Sequence, residues 1–102
     1  MFSLQLQVQP QTEQRLKKLL TYTQDQERFA QNMIAYHVAE LHKSILNIRL
    51  DLKQFEDQYQ MATADFYHQF TQGTLPDLEA YMIWAGIYEL LQENERHLRE
   101  LQ

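Results

Sequence analysis

The chain of 102 residues contains no cysteine, only two glycines and two prolines, and no long apolar run. Without cysteine, neither a disulfide nor a thiolate metal site can form, and a cytoplasmic location is the default expectation. No apolar stretch approaches the roughly 20 residues that cross a bilayer, and the start of the chain lacks the pattern of a signal peptide. The scarcity of glycine and proline predicts a mainly helical fold.

The sequence also lacks the usual signatures of catalysis. It has no glycine-rich phosphate loop and no serine in a nucleophile elbow. None of its four histidines is paired with another at i, i+4, and a metal site made of His68 and Asp65 would offer only two ligands. We therefore expect a protein that is not an enzyme, with no catalytic residue, no metal and no cofactor.

What is present begins with a period-two pattern at the N-terminus. Leu4, Leu6 and Val8 alternate with glutamines, and Pro10 follows. Such alternation is typical of a strand with one apolar face, and proline suits the first turn of a helix. A lone strand needs a partner for its backbone. We therefore expect residues 3–9 to pair with the same segment of a second copy, which predicts a homodimer.

Helical patterns follow. Leucines at helical spacing predict a first helix over about residues 10–22, and Asp25 is a favourable N-cap for a second helix. The second helix carries a heptad-like apolar seam, long enough to pack on a neighbouring helix. The seam consists of Leu41, Ile45, Ile48, Leu52, Phe55 and Tyr59.

The C-terminal third predicts two further helices. We expect a break or kink around residues 60–63 and a short helix over about residues 63–71. Gly73 is a natural stop for that helix. Thr74 is expected to cap a last helix, with Pro76 in its first turn, that runs to the end of the chain.

The net charge of −5 is unevenly distributed. Residues 1–28 carry four basic and three acidic side chains, a balance of +1, whereas residues 59–102 carry two basic and seven acidic side chains, a balance of −5. The N-terminal part can therefore approach a polyanion, and the C-terminal part suits a basic partner. A surface charge that only maintains solubility explains the same pattern.

The order of strand, proline, short helix, turn and longer helix resembles the ribbon-helix-helix family of prokaryotic DNA-binding proteins. The resemblance runs from Leu4 to Ile34. It implies a two-stranded ribbon in the major groove, where glutamine amides bond adenine, with basic side chains on phosphates. The DNA-binding residues expected from it are Ser3, Gln5, Gln7, Lys17, Lys18 and Arg28.

Residues from about 50 to 101 are similar to the C-terminal region of antitoxins encoded beside small toxins. The similarity rests on the aromatic residues placed on both sides of Gly73. It implies that these helices cover a toxin, and an acidic flank would speed the docking of a cationic one. The same aromatic residues can instead form an intramolecular core. The expected toxin-binding residues are Phe66, Tyr67, Phe70, Tyr81, Trp84 and Tyr88.

Together these patterns predict a mainly α ribbon-helix-helix dimer with a C-terminal helical extension. Residues 1–45 would dimerise and bind DNA, and residues 46–102 would bind toxin. The expected function is that of an antitoxin, which neutralises a cognate toxin and represses its own operon through operator DNA. The alternative is a helical dimeric scaffold or interaction protein that binds no DNA. A third possibility is an antitoxin without operator binding, which the carboxylate of Asp25 allows because it weakens an anion site at the helix start.

Overall fold

The computed structural model describes residues 4–102, which contain α1 (Pro10–Tyr22), α2 (Gln26–Tyr59), α3 (Thr63–Thr71) and α4 (Glu79–Leu101). The chain divides into two compact units, residues 1–33 and residues 34–102. None of the helices in the described range is both long enough and apolar enough to cross a bilayer. The predicted boundary after residue 45, between a DNA-binding part and a toxin-binding part, falls inside α2. That functional division stays a prediction.

The predicted N-terminal strand is not formed, so the ribbon-helix-helix prediction was wrong. Residues 4–9 have no regular secondary structure, and Leu4 and Leu6 are 65% and 57% exposed. Alternation specifies which face of a segment is apolar, but a strand exists only through hydrogen bonds to a neighbouring strand. No strand occurs anywhere in residues 4–102.

The N-terminal unit is helical but contains no buried side chain between residues 4 and 33. α1 begins at Pro10 and ends at Tyr22, as predicted. The Asp25 carboxylate accepts a hydrogen bond from the backbone N–H of Arg28 at 3.0 Å, which confirms the predicted N-cap of α2. On the leucine face of α1, Leu19 and Leu20 are exposed and Leu16 is half-buried.

The C-terminal unit contains a packed core. The predicted seam of α2 is confirmed, because its first four residues are buried and its last two are half-buried. α3 contributes Phe66 to this core, and Trp84 is the largest side chain that α4 contributes. The buried cluster consists of Ile45, Ile48, Leu52, Phe66, Trp84, Ala85 and Leu91.

The predicted break between α2 and α3 is also confirmed. α2 ends at Tyr59, and Gln60 adopts the left-handed conformation with φ of 53°. The Gln60 side-chain amide donates a hydrogen bond to the carbonyl of Asp57 at 2.7 Å. This local bond helps to hold a conformation that is otherwise unfavourable for a residue with a Cβ atom.

The connection between α3 and α4 differs from the prediction at one end. α3 ends at Thr71, and Gly73 follows with φ of 72°, as expected of a C-terminal glycine. Thr74, however, does not cap α4, which begins only at Glu79. Its hydroxyl instead donates to the carbonyl of Gln69 at 3.1 Å. Thr74 therefore closes the end of α3, and residues 74–78 form the connection.

Candidate protein-binding surface

Two of the six predicted toxin-binding residues lie in the core and are inaccessible to a partner. Phe66 and Trp84 are fully buried, and their rings stack with centroids 3.7 Å apart and an interplanar angle of 5°. Phe55 stacks on Trp84 with a centroid distance of 5.5 Å. For Phe66 and Trp84, therefore, the structure agrees with the core alternative, and a role in toxin binding stays a prediction.

The indole of Trp84 has a specific polar partner inside this core. Its Nε1–H donates to the hydroxyl oxygen of Thr63 at 3.1 Å, and Thr63 is itself buried. The backbone N–H of Thr63 in turn donates to Oε2 of Glu56 at 2.8 Å. Because this N–H is one of the donors that a helix start leaves unpaired, the Glu56 carboxylate caps α3 from α2.

The sequence analysis assigned no role to Thr63 or Glu56. A signal for Thr63 does exist, because a buried tryptophan needs an acceptor for its N–H. Periodicity does not say which hydroxyl supplies that acceptor, since Thr63 and Trp84 lie 21 positions apart. The Glu56 contact likewise depends on the reversal of the chain after Tyr59, which brings α3 back against α2.

The other four predicted toxin-binding residues are half-buried. Tyr67 and Tyr88 lie side by side with ring centroids 5.0 Å apart, and the Tyr67 hydroxyl donates to Oε1 of Glu89 at 3.3 Å. Desolvation, followed by the negative charge of Glu89, raises the pKa of Tyr67 above its ordinary value. We call Tyr67, Phe70, Tyr88 and Glu89 the aromatic rim of α3 and α4.

The aromatic rim combines apolar area with negative charge. Phe70 lies next to Tyr67, with a centroid distance of 6.4 Å, and the Glu89 carboxylate accepts the Tyr67 hydrogen bond. Flat aromatic faces beside the Glu89 carboxylate suit a protein surface that is partly apolar and partly basic.

A shallow cavity of about 380 Å³ adjoins the core near the end of α2. Its charged side chains already have partners, because Arg49 pairs with Glu95 at 2.8 Å and Lys53 pairs with Asp57 at 2.9 Å. The Asp57 contact raises the pKa of Lys53. These exposed ion pairs contribute little to stability, but they leave neither basic side chain of the cavity without a partner for its charge. The lining residues are Arg49, Leu52, Lys53, Glu56, Thr63, Ala64, Tyr88 and Leu91.

The structure does not bring the predicted DNA-binding residues together on a ribbon. Gln5 and Gln7 are exposed in the irregular segment before α1. Lys17 pairs with Glu13 at 3.2 Å along α1. Lys18 and Arg28 are exposed. Ser3 lies outside the described residues.

No protein-family model, no curated protein and no solved structure matches this chain. Function is therefore inferred from the chemistry of its surfaces. Among residues 4–102 there is no group of three or more histidine, cysteine or acidic side chains arranged to hold a metal ion.

Proposed function

We propose that this chain acts by binding alone, and that its C-terminal unit captures a basic protein on the aromatic rim of α3 and α4. The observation that carries the proposal is the contact of Tyr67 with Tyr88 and Glu89, which places apolar area and a carboxylate at one accessible place. Following the resemblance noted in the sequence, the partner to test first is a toxin encoded beside this chain.

The rim is supported from beneath by a rigid core. Phe70 packs on Phe66 with a centroid distance of 5.6 Å, and Phe66 stacks on Trp84. A side chain held in place before binding loses less conformational entropy when a partner arrives. The rim therefore supports a tighter complex than the same residues on a mobile segment would.

Charge supports a basic partner. The balance of −5 over residues 59–102 attracts a cationic protein over a distance of about 8–10 Å at physiological salt. Such attraction mainly accelerates association, whereas the aromatic contacts hold the complex together. Added salt should accordingly lower the association rate more than it raises the dissociation rate.

The test is a titration of the full chain with the product of the adjacent gene, measured by calorimetry. Tyr88→Ala should weaken binding by at least about tenfold, because aromatic residues are frequent hot spots. Tyr36→Ala is the matched control, since Tyr36 is 69% exposed on α2, away from the rim, and it should bind like the wild type. Absence of binding at low salt, or equal affinity of both variants, would refute the proposal.

A helical dimeric scaffold is the second candidate, and the N-terminal unit favours it. Residues 4–33 contain no buried side chain although they carry many apolar ones, so this unit gains stability from any partner that covers it. Hydrogen exchange at α1 distinguishes the candidates. Protection that grows with protein concentration supports a scaffold, whereas protection that appears only with the basic partner supports the first proposal.

A further inference from the structure

α4 carries a second apolar stripe beside the one that faces the core. The core stripe includes Trp84, Leu91 and Leu98, each seven residues after the previous one. The second stripe has spacings of four, three, four, three and four residues, which is the repeat of a coiled coil. We call it the α4 seam, and it consists of Ile83, Ile87, Leu90, Asn94, His97 and Leu101.

We propose that the α4 seam pairs in parallel with the α4 seam of a second copy of this chain. Ile83 and Leu90 are 50% and 47% exposed, whereas Ile87 is half-buried at the edge of the core. Asn94 and His97 are also half-buried, and Leu101 is 39% exposed. A heptad seam with three exposed apolar residues on a helix of 23 residues is complemented by an identical seam.

The identities within the seam favour two parallel helices. The spacing assigns Ile87, Asn94 and Leu101 to the a positions, and it assigns Ile83, Leu90 and His97 to the d positions. The central pair is Ile87 at a and Leu90 at d. A β-branched residue at a with leucine at d favours two-stranded parallel pairing. A single asparagine at an a position specifies register and two-stranded assembly at some cost in stability.

Asn94 also argues against the antiparallel alternative. Its side chain makes no hydrogen bond within the described part of the chain. Parallel pairing places the two Asn94 amides opposite each other, where one donates and the other accepts. Antiparallel pairing in register places Asn94 against Leu90 and brings the two copies of Glu93 together, so that an amide loses its partner and like charges meet.

The core of the C-terminal unit leaves room for this pairing. At 100° per residue the seam is centred roughly 80° around α4 from the core stripe. A second α4 can therefore pack on the seam without displacing the core. The seam spans about 27 Å at 1.5 Å per residue, which is short for an isolated coiled coil. Because burial of Trp84 and Leu91 already stabilises α4 as a helix, the free energy of association does not have to offset the unfavourable free energy of helix formation.

The first test is sedimentation velocity of the full chain over a range of micromolar concentrations. The wild type should dimerise, and Leu90→Glu should raise the dissociation constant by about 100-fold, the scale of a hot-spot residue. Leu46→Glu is the matched control, because Leu46 is 60% exposed on α2 and outside the seam; it should dimerise like the wild type. Ile83→Glu repeats the test at another exposed position, and circular dichroism verifies that each variant is folded.

The second test determines the orientation, using the absence of cysteine from the chain. Parallel pairing brings the thiols of two His97→Cys chains within disulfide reach, with Cα atoms about 5.5–6 Å apart. Gln92→Cys lies on the opposite side of α4 and should not cross-link. A monomeric wild type, a Leu90→Glu variant that dimerises normally, or equal cross-linking of both cysteine variants would overturn the proposal.

Discussion

The N-terminal unit and the C-terminal unit both contain amphipathic helices, but only the C-terminal unit buries side chains. α1 carries leucines at helical spacing and buries none of them, whereas α2 buries all four leading residues of its seam. The two helices differ in burial because they differ in the elements that pack against their apolar faces. Within the C-terminal unit three helices supply partners to one another, and each aromatic side chain in the core can bury about 150–250 Å². An apolar stripe therefore shows which face of a helix can be buried, but burial occurs only where another element packs against that face.

Removal of the Trp84 ring from the core should give the largest loss of stability. Trp84→Ala removes the ring on which Phe55 and Phe66 stack, and it should lower the free energy of unfolding by about 3–5 kcal/mol. Tyr22→Ala in the N-terminal unit, where the ring is 72% exposed, should change it by less than about 0.5 kcal/mol. Urea denaturation measures both. Equal losses would mean that the two units are stabilised alike.

The buried hydrogen bond should give the next largest effect. Thr63→Val preserves shape but removes the acceptor for the Trp84 N–H, so it should cost about 1–3 kcal/mol. Thr63→Ser keeps the hydroxyl and should cost less. Denaturation curves of the two variants compare them directly, and a Thr63→Val variant as stable as wild type would show that the bond contributes nothing.

The N-cap of α2 should give an intermediate effect that is confined to the start of that helix. Asp25→Ala removes the acceptor for the Arg28 N–H and should cost about 1 kcal/mol, whereas Asp25→Asn should be nearly neutral. Hydrogen exchange in the first turn of α2 is the measurement. The core amides of α3 and α4 should keep their protection in both variants, and a loss there would mean that the units unfold together.

The smallest effect is expected in the irregular N-terminal segment. In a ribbon dimer Leu6→Asp would place an unpaired charge at the centre of the interface and abolish folding. Because Leu6 is exposed in this structure, the substitution should instead change the free energy of unfolding by less than about 0.5 kcal/mol. Thermal denaturation followed by circular dichroism decides between the two, with Gln5→Ala as a neutral control.

Local chemistry made several elements predictable. Pro10, Asp25 and Gly73 mark helix boundaries through their own backbone and side-chain preferences, and each lies where it was expected. Thr74 was misassigned because a threonine hydroxyl can close one helix as readily as it opens the next. The strand over residues 3–9 was predicted from the alternation of apolar and polar residues. A strand forms only when a second strand provides partners for its backbone hydrogen bonds.

The candidate site was only partly predictable for a related reason. The aromatic positions on α3 and α4 were identified together, but periodicity cannot say which ring lies inside and which lies at the rim. Phe66 and Tyr67 are adjacent in sequence, and one is fully buried while the other bonds Glu89 at the edge. That division depends on how α3 lies against α4.

The amino-acid sequence by itself determined that this chain is mainly helical, where most of its helices begin and end, and which end carries the negative charge. These properties follow from backbone preferences, capping side chains and composition, all of which act over a few residues. Only the tertiary structure decided that Trp84 is a core residue bonded to Thr63, that Glu56 caps α3, and that the N-terminal alternation forms no strand. Each of those outcomes depends on contacts, made or missing, between segments distant in sequence.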